Sequence, residues 1–235
     1  MVRVTSSFSA KLMEICEQLE ERYGVCKPPH LESFIEEMMY QILLLGASDR
    51  LARKALAALR EEFVTWNDMR VGSVREIQDI LGPRYPRARV RAEDLHHLLA
   101  DFYTAFRRME LDEIARTADG METLRALPET TLVREDMVEW ALLHAIGIET
   151  FPCNTEQFEI LRFLGGVAKN TEFDEAREAV LQALDKEQRL RLSHGLREHA
   201  EMLEQADEYD PQAIDWGWDK KAKTSKQDDE SGDED

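Results

Sequence analysis

The sequence predicts an all-α protein, and three observations carry that prediction. Apolar residues recur at i, i+3, i+4 and i+7 in one segment after another, and no run of β-branched residues alternates over strand length. Capping residues and glycines also mark where helices start and stop.

In chain order, residues 9–23 form the first helix, and residues 31–45 the second. In the second, Leu31, Phe34, Ile35, Met38, Met39, Ile42 and Leu43 share one face. Gly46 ends it, and Ser48 caps a third helix that runs through Leu51, Ala55, Leu56 and Leu59 to about Glu62. Asn67 and Asp68 read as a turn beside a core Trp66. Ser73 and Glu76 form a capping box that opens a short helix, stopped by Gly82-Pro83. The next segment, 82–91, holds Pro83 and Pro86 and reads as a loop carrying Arg84, Arg87, Arg89 and Arg91. Helical spacing resumes at 92–106 and continues in short pieces at 111–117 and 120–127. Residues 132–146 are apolar on most of their circumference, which predicts a central buried helix closed by Gly147. Helices at 155–164, 172–184 and 187–205 bring the total to about ten.

These elements group into a central lobe, residues 30–146, and a second lobe made of 1–29 with 147–206. From 207 onward the chain mixes a basic run with an acidic end and has almost no apolar residue after Trp218, so a disordered charged tail is expected.

Composition narrows the function classes. No apolar run approaches the roughly 20 residues of a membrane span. The N-terminal stretch MVRVTSSFSAKLMEIC lacks the apolar core and cleavage site of a secretory signal, so a cytoplasmic location with reduced thiols is expected. Cys16, Cys26 and Cys153 are far apart, and His194 and His199 are off the spacing that shares a helix face, so no metal and no cofactor is indicated. The net charge of −18 argues against indiscriminate nucleic-acid binding, because phosphates are contacted by Lys and Arg. The segment 207–235 carries −7 of it, which leaves the rest still acidic; GPRYPRARVR is the best basic patch available.

The stretch FIEEMMYQILLLGASDRLARKALAALREEF is an apolar helix, a small-residue corner and an amphipathic helix, and FVTWNDMRVGSVREIQDIL follows it. Next comes LRALPETTLVREDMVEWALLHAIGIETFPCNTEQFEILRFLGG. In this order the three resemble the helix-hairpin-helix DNA glycosylases of the endonuclease III type, over roughly residues 30–165, and the second stretch is similar to a divergent bacterial branch. The resemblance implies a two-lobed helical fold and DNA as partner. It places Asp49 at the family's corner aspartate, with the family's glutamine before that corner falling near Gly46 and absent. It also makes Leu127-Pro128-Glu129-Thr130-Thr131 the phosphate-binding hairpin, with Pro128, Thr130, Thr131 and Arg134 beside the DNA. The hairpin's two glycines, which let amides approach a phosphate, are lost here, and Glu129 adds a repelling charge.

Two further family features are replaced. Bifunctional members carry a lysine shortly after the hairpin that attacks the sugar C1′. No lysine lies between Lys54 and Lys169, and Arg134, near the corresponding place, stays protonated. The family's aspartate, which stabilises charge on the sugar or activates water, falls on Asn154, an uncharged amide. Asn154 also has a purely structural reading as the cap of the next helix, paired with Gln157. Glu156 is a weaker candidate acid. The four cysteines that hold an iron-sulfur cluster in many members have no counterpart after Cys153. The expectation is a DNA-binding protein of base-excision-repair type with lost or altered glycosylase and lyase activity. The alternative is a catalytically inactive relative that binds a protein partner through its acidic surface or tail.

Overall fold

Capping chemistry sets most of the helix boundaries in the computed structural model, which describes residues 5–25, 27, 31, 33–127 and 133–205. The side chains of Thr5, Ser33 and Ser48 accept from the first turns of α1 (Ser6–Tyr23), α2 (Phe34–Leu44) and α3 (Asp49–Glu62). Reciprocal capping boxes open α4 (Trp66–Val71) at Thr65/Asp68 and α5 (Val74–Leu81) at Ser73/Glu76. Then come α6 (Ala88–Phe106), α7 (Asp112–Ala115), α8 (Ala118–Ala126) and α9 (Glu135–Ala141). A π-helical turn, Leu142–Ile146, extends α9 and ends at Gly147. The chain continues as α10 (Thr155–Phe163), α11 (Phe173–Ala183) and α12 (Lys186–Gln205). The fold is all-α: the described residues contain helices and no strand.

Helix ends shift by up to three residues from the sequence expectation, with α1 starting at Ser6 and α2 at Phe34, and three regions differ in kind. Residues 66–71 are a helix rather than a turn, because Asp68 accepts from the backbone N–H of Thr65 at 2.9 Å and nucleates it. Helix α6 starts at Ala88, so Arg89 and Arg91 belong to its first turns and not to a loop. Arg87, in the left-handed conformation with φ 51°, turns the chain from the proline segment straight into that helix. The central helix is shorter than its apolar run, since it begins at Glu135 and changes to π geometry at Leu142.

The apolar core divides into two clusters. One draws on residues 31–146 and is built around α2, α3, α6 and α9, with Phe34, Met38, Leu59, Leu99 and Phe102 at its centre. The other packs α1 against α10, α11 and α12 through Leu12, Ile15, Leu161, Val180 and Leu196. In it α1 and α12 approach so closely that a Cβ on Gly195 would sit 2.6 Å from the Cβ of Leu19. A small third cluster, Trp140 and Leu143 with Leu190, lies where α9 and the π turn meet α12. Among the described residues, no helix is long and apolar enough to cross a membrane. The expected tail, 207–235, lies outside the described residues.

Candidate functional site

Helices that look apolar in sequence bury a chain of polar groups where the two clusters meet. Asp136, on the first turn of α9, is fully buried. Its carboxylate accepts two bonds from Arg134 at 3.1 and 3.0 Å, one from Gln157 Nε2 at 2.9 Å and one from Arg197 Nε at 3.2 Å. Burial alone would raise its pKa, but the guanidinium groups of Arg197 and Arg134 outweigh that and hold it at about 2. Arg197, from α12, also donates to Gln41 on α2 and lies 4.9 Å from the centre of the Trp140 ring. Gln41 in turn donates to Glu37 at 2.7 Å, and Glu37 meets His144 Nδ1 of the π turn at 2.6 Å. The chain of contacts therefore runs from α10 and α12 through α9 to α2, joining the two clusters by hydrogen bonds and ion pairs.

Asn154 belongs to this network. Its Oδ1 accepts from the Gln157 N–H at 2.9 Å, Gln157 Oε1 accepts from the Asn154 N–H at 3.2 Å, and Asn154 Nδ2 donates to Asp136 at 3.4 Å. The side chain thus caps α10 and touches Asp136. Arg134 is clamped on the same carboxylate. Glu156 is half-buried on the first turn of α10.

A cleft of about 580 Å³ opens between the clusters, with the α2–α3 corner on one side and α9 and α12 on the other. Tyr23, Tyr40, Asp49, Trp140, His194 and Arg197 line it, whereas Asn154 and Glu156 are not among its lining residues. Asp49 accepts from Tyr40 Oη and from Arg53 Nε at 2.8 Å. Partial burial raises its pKa, but these donors outweigh it and leave it below the usual carboxylate value. Burial, followed by the Arg197 charge, pushes His194 down to about 4, so it faces the cleft as a neutral imidazole. The cleft's polar lining thus includes the firmly ionised Asp49, the neutral His194 and the buried guanidinium of Arg197, together with Lys27, Ser48, Glu198 and Glu201. Among the described residues, no three His, Cys, Asp or Glu side chains converge as a metal site would require.

The arginine cluster does not act as a unit. Arg91 is buried, donates to the Leu45 carbonyl at 3.2 Å and pairs with Asp94 at 2.6 Å, so its role is to anchor α6 to the α2–α3 corner. Arg89 pairs with Glu93 at 3.0 Å on the helix surface. Arg84 and Arg87 are exposed. Pro128, Thr130 and Thr131 lie outside the described residues. The structure thus brings Arg134 and Asn154 together on Asp136, sets Asp49 in the cleft wall and commits Arg89 and Arg91 to partners on α6 while Arg84 and Arg87 stay exposed. Sequence reading missed Asp136, Arg197 and Gln41 and read Gln157 only as a capping partner; the available signal was Asp136 and Glu139 three residues apart within a largely apolar stretch, where a buried acid demands partners.

One substitution isolates this contact. Asp is as good a helix cap as Asn, so Asn154→Asp keeps the cap but sets a second carboxylate beside Asp136 in place of a donor. The expected result is a loss of about 2 kcal/mol at neutral pH by urea unfolding, from the lost bond and the like-charge contact. The loss should shrink as the new carboxyl protonates in acid; an unchanged stability would mean that Asn154 does not touch Asp136.

No family model and no curated protein matches the sequence. Similarity appears instead among solved structures. A trapped endonuclease III–DNA covalent intermediate matches at TM-score 0.54 and 15% identity, covering 83% of this chain and 85% of that one. The H. pylori 3-methyladenine DNA glycosylase bound to an ethenoadenine matches at 0.53 and 14%, covering 85% and 98%. The 8-oxoguanine glycosylase/lyase of Clostridium acetobutylicum, in complex with DNA, matches at 0.50 and 14%, covering 84% and 71%. With its helix order, its two packed clusters and these neighbours, the chain has the all-helical fold of the helix-hairpin-helix DNA glycosylases of the endonuclease III type.

Proposed function

We propose that this chain is a DNA-binding protein of base-excision-repair type in which glycosylase and lyase chemistry at the family positions has given way to a structural network. The observation that carries the reading is the joint attachment of Asn154 and Arg134 to the buried Asp136 carboxylate. A lyase nucleophile must lose its proton and reach C1′, and an arginine held by a carboxylate does neither. An amide engaged in a cap and in a bond to Asp136 offers no charge to a developing oxocarbenium ion. DNA as ligand rests on the fold and on the exposed Arg84 and Arg87.

The test is fluorescence anisotropy with a duplex carrying an abasic-site analogue, together with a base-release assay and borohydride trapping on damaged duplexes. Salt-dependent binding without release or trapping is the expected result. A released base or a trapped adduct would overturn the claim of inactivity, and absence of binding at low salt would overturn DNA as the ligand. The net charge of −18 favours a protein partner as the competing reading. A partner retained after nuclease treatment, in a chain that does not bind duplex, would establish it.

A further inference from the structure

The family resemblance puts the main phosphate contact at the hairpin, where this chain has no glycines and carries Glu129. Most of the basic side chains are also committed elsewhere. Among the described residues, twelve arginines are tied to carboxylates of the chain itself. The remaining cations are those available to an external anion, and their placement decides where one can bind.

Four of them gather at the α2–α3 corner. Arg50 and Lys54 are one helical turn apart on the exposed face of α3, opposite Ala52, Ala55 and Leu56. Arg84 and Arg87 are exposed on the segment between α5 and α6. That segment and the first turn of α6 are both fastened to the same corner: Tyr85 Oη donates to the Leu43 carbonyl and Arg91 Nε to the Leu45 carbonyl. None of the four forms an ion pair with a described residue, and the nearby acids Asp49, Glu93 and Asp94 are each already held by an arginine. These four charges are thus not neutralised within the described residues, on a chain whose net charge is negative. The corner is also one wall of the inter-lobe cleft.

We infer that Arg50, Lys54, Arg84 and Arg87 form the phosphate-contacting rim of this protein, so that duplex DNA is held at the α2–α3 corner beside the cleft and not through the hairpin. This rests on the DNA-binding reading above and specifies where the backbone is gripped. Phosphate contacts of this kind position a duplex without reading its sequence, and each one releases counterions on binding.

Arg107 and Arg108 provide the control. They stand at the other end of α6, about 28 Å away along a 19-residue helix, and they share a hollow with Glu110, Asp112 and Glu113. Binding of the full chain to a plain duplex is measured across a salt series. The proteins are wild type, Arg50→Ala with Lys54→Ala, Arg84→Ala with Arg87→Asn (which tolerates the left-handed backbone), and Arg107→Asn with Arg108→Ala. Each rim pair should lower the slope of log affinity against log salt by about 2, and affinity near 0.1 M salt by roughly 10- to 100-fold. The control should change neither. Circular dichroism verifies that all three variants remain folded. Equal losses in rim and control variants, or unchanged binding in the rim variants, would overturn the rim and leave DNA binding standing. A wild type that binds no duplex at low salt would overturn both.

Discussion

Replacing Arg197 with methionine is expected to lower stability by about 3–5 kcal/mol, the range for breaking a buried ion pair from one side. In a chain of this size that corresponds to a fall in Tm of roughly 10 °C. The side chain is buried and ties three elements: it pairs with Asp136 on α9, donates to Gln41 on α2 and lies against the Trp140 ring. Methionine fills a similar volume, so the measured loss reports the polar contacts and not a cavity. Without Arg197, Asp136 keeps Arg134 and Gln157, but Gln41 Oε1 is left buried without its donor. Adding Asp136→Asn to the methionine variant should recover part of the loss, because the remaining buried charge is then removed. Urea unfolding at neutral pH measures both. A loss below about 1 kcal/mol would show that the network makes no more net contribution than a surface ion pair.

Acidification supplies the second large effect. His194 and His199 are both held neutral: burial and Arg197 push the first down to about 4, and burial and Arg22 push the second down to about 3. His199 has its Nδ1 2.5 Å from the hydroxyl of Tyr23 on α1, and His194 faces Asp49 across the cleft and Glu198 at 3.9 Å. An unfolded chain protonates its histidines near pH 6.5. Because both folded values are depressed, the stabilisation is fully present above about 6.5 and is lost as pH falls toward the folded values. At 1.36 kcal/mol per unit, the loss by pH 4 amounts to about 3 kcal/mol for each histidine. The carboxylates act later, since Asp136 with its folded value near 2 loses its contribution only below the unfolded value of about 3.8. Urea unfolding at pH 7, 5.5 and 4.5 should therefore show a steep decline that His194→Gln and His199→Gln each flatten. A profile level over that range, or one that both variants leave unaltered, would contradict the assignment.

Helix existence was legible from local signals because helix chemistry is local. Ser48 and Ser73 cap α3 and α5, and the apolar stripe of α2 faces the core. Helix α4 was missed although its signal is of the same kind, a threonine three residues before an acid, because Asn67 and Asp68 are also turn residues. The start of α6 was misplaced because Pro83 and Pro86 suggested a longer loop, whereas Arg87 adopts the left-handed conformation that brings the helix forward to Ala88.

The sequence by itself determined the fold class and the capping boxes at Ser73 and Asn154, since each of these is a matter of residue type at a short, fixed spacing. Only the tertiary structure decided which charges are free. Arg84 and Arg91 are seven residues apart on one basic stretch, yet Arg84 is exposed while Arg91 is buried between Asp94 and the Leu45 carbonyl. Asp136 and Arg197 are 61 residues apart and meet inside the protein. The physical reason is that a charge acquires its role from what surrounds it: solvent leaves it available to an external anion, whereas burial forces it to find a partner within the chain.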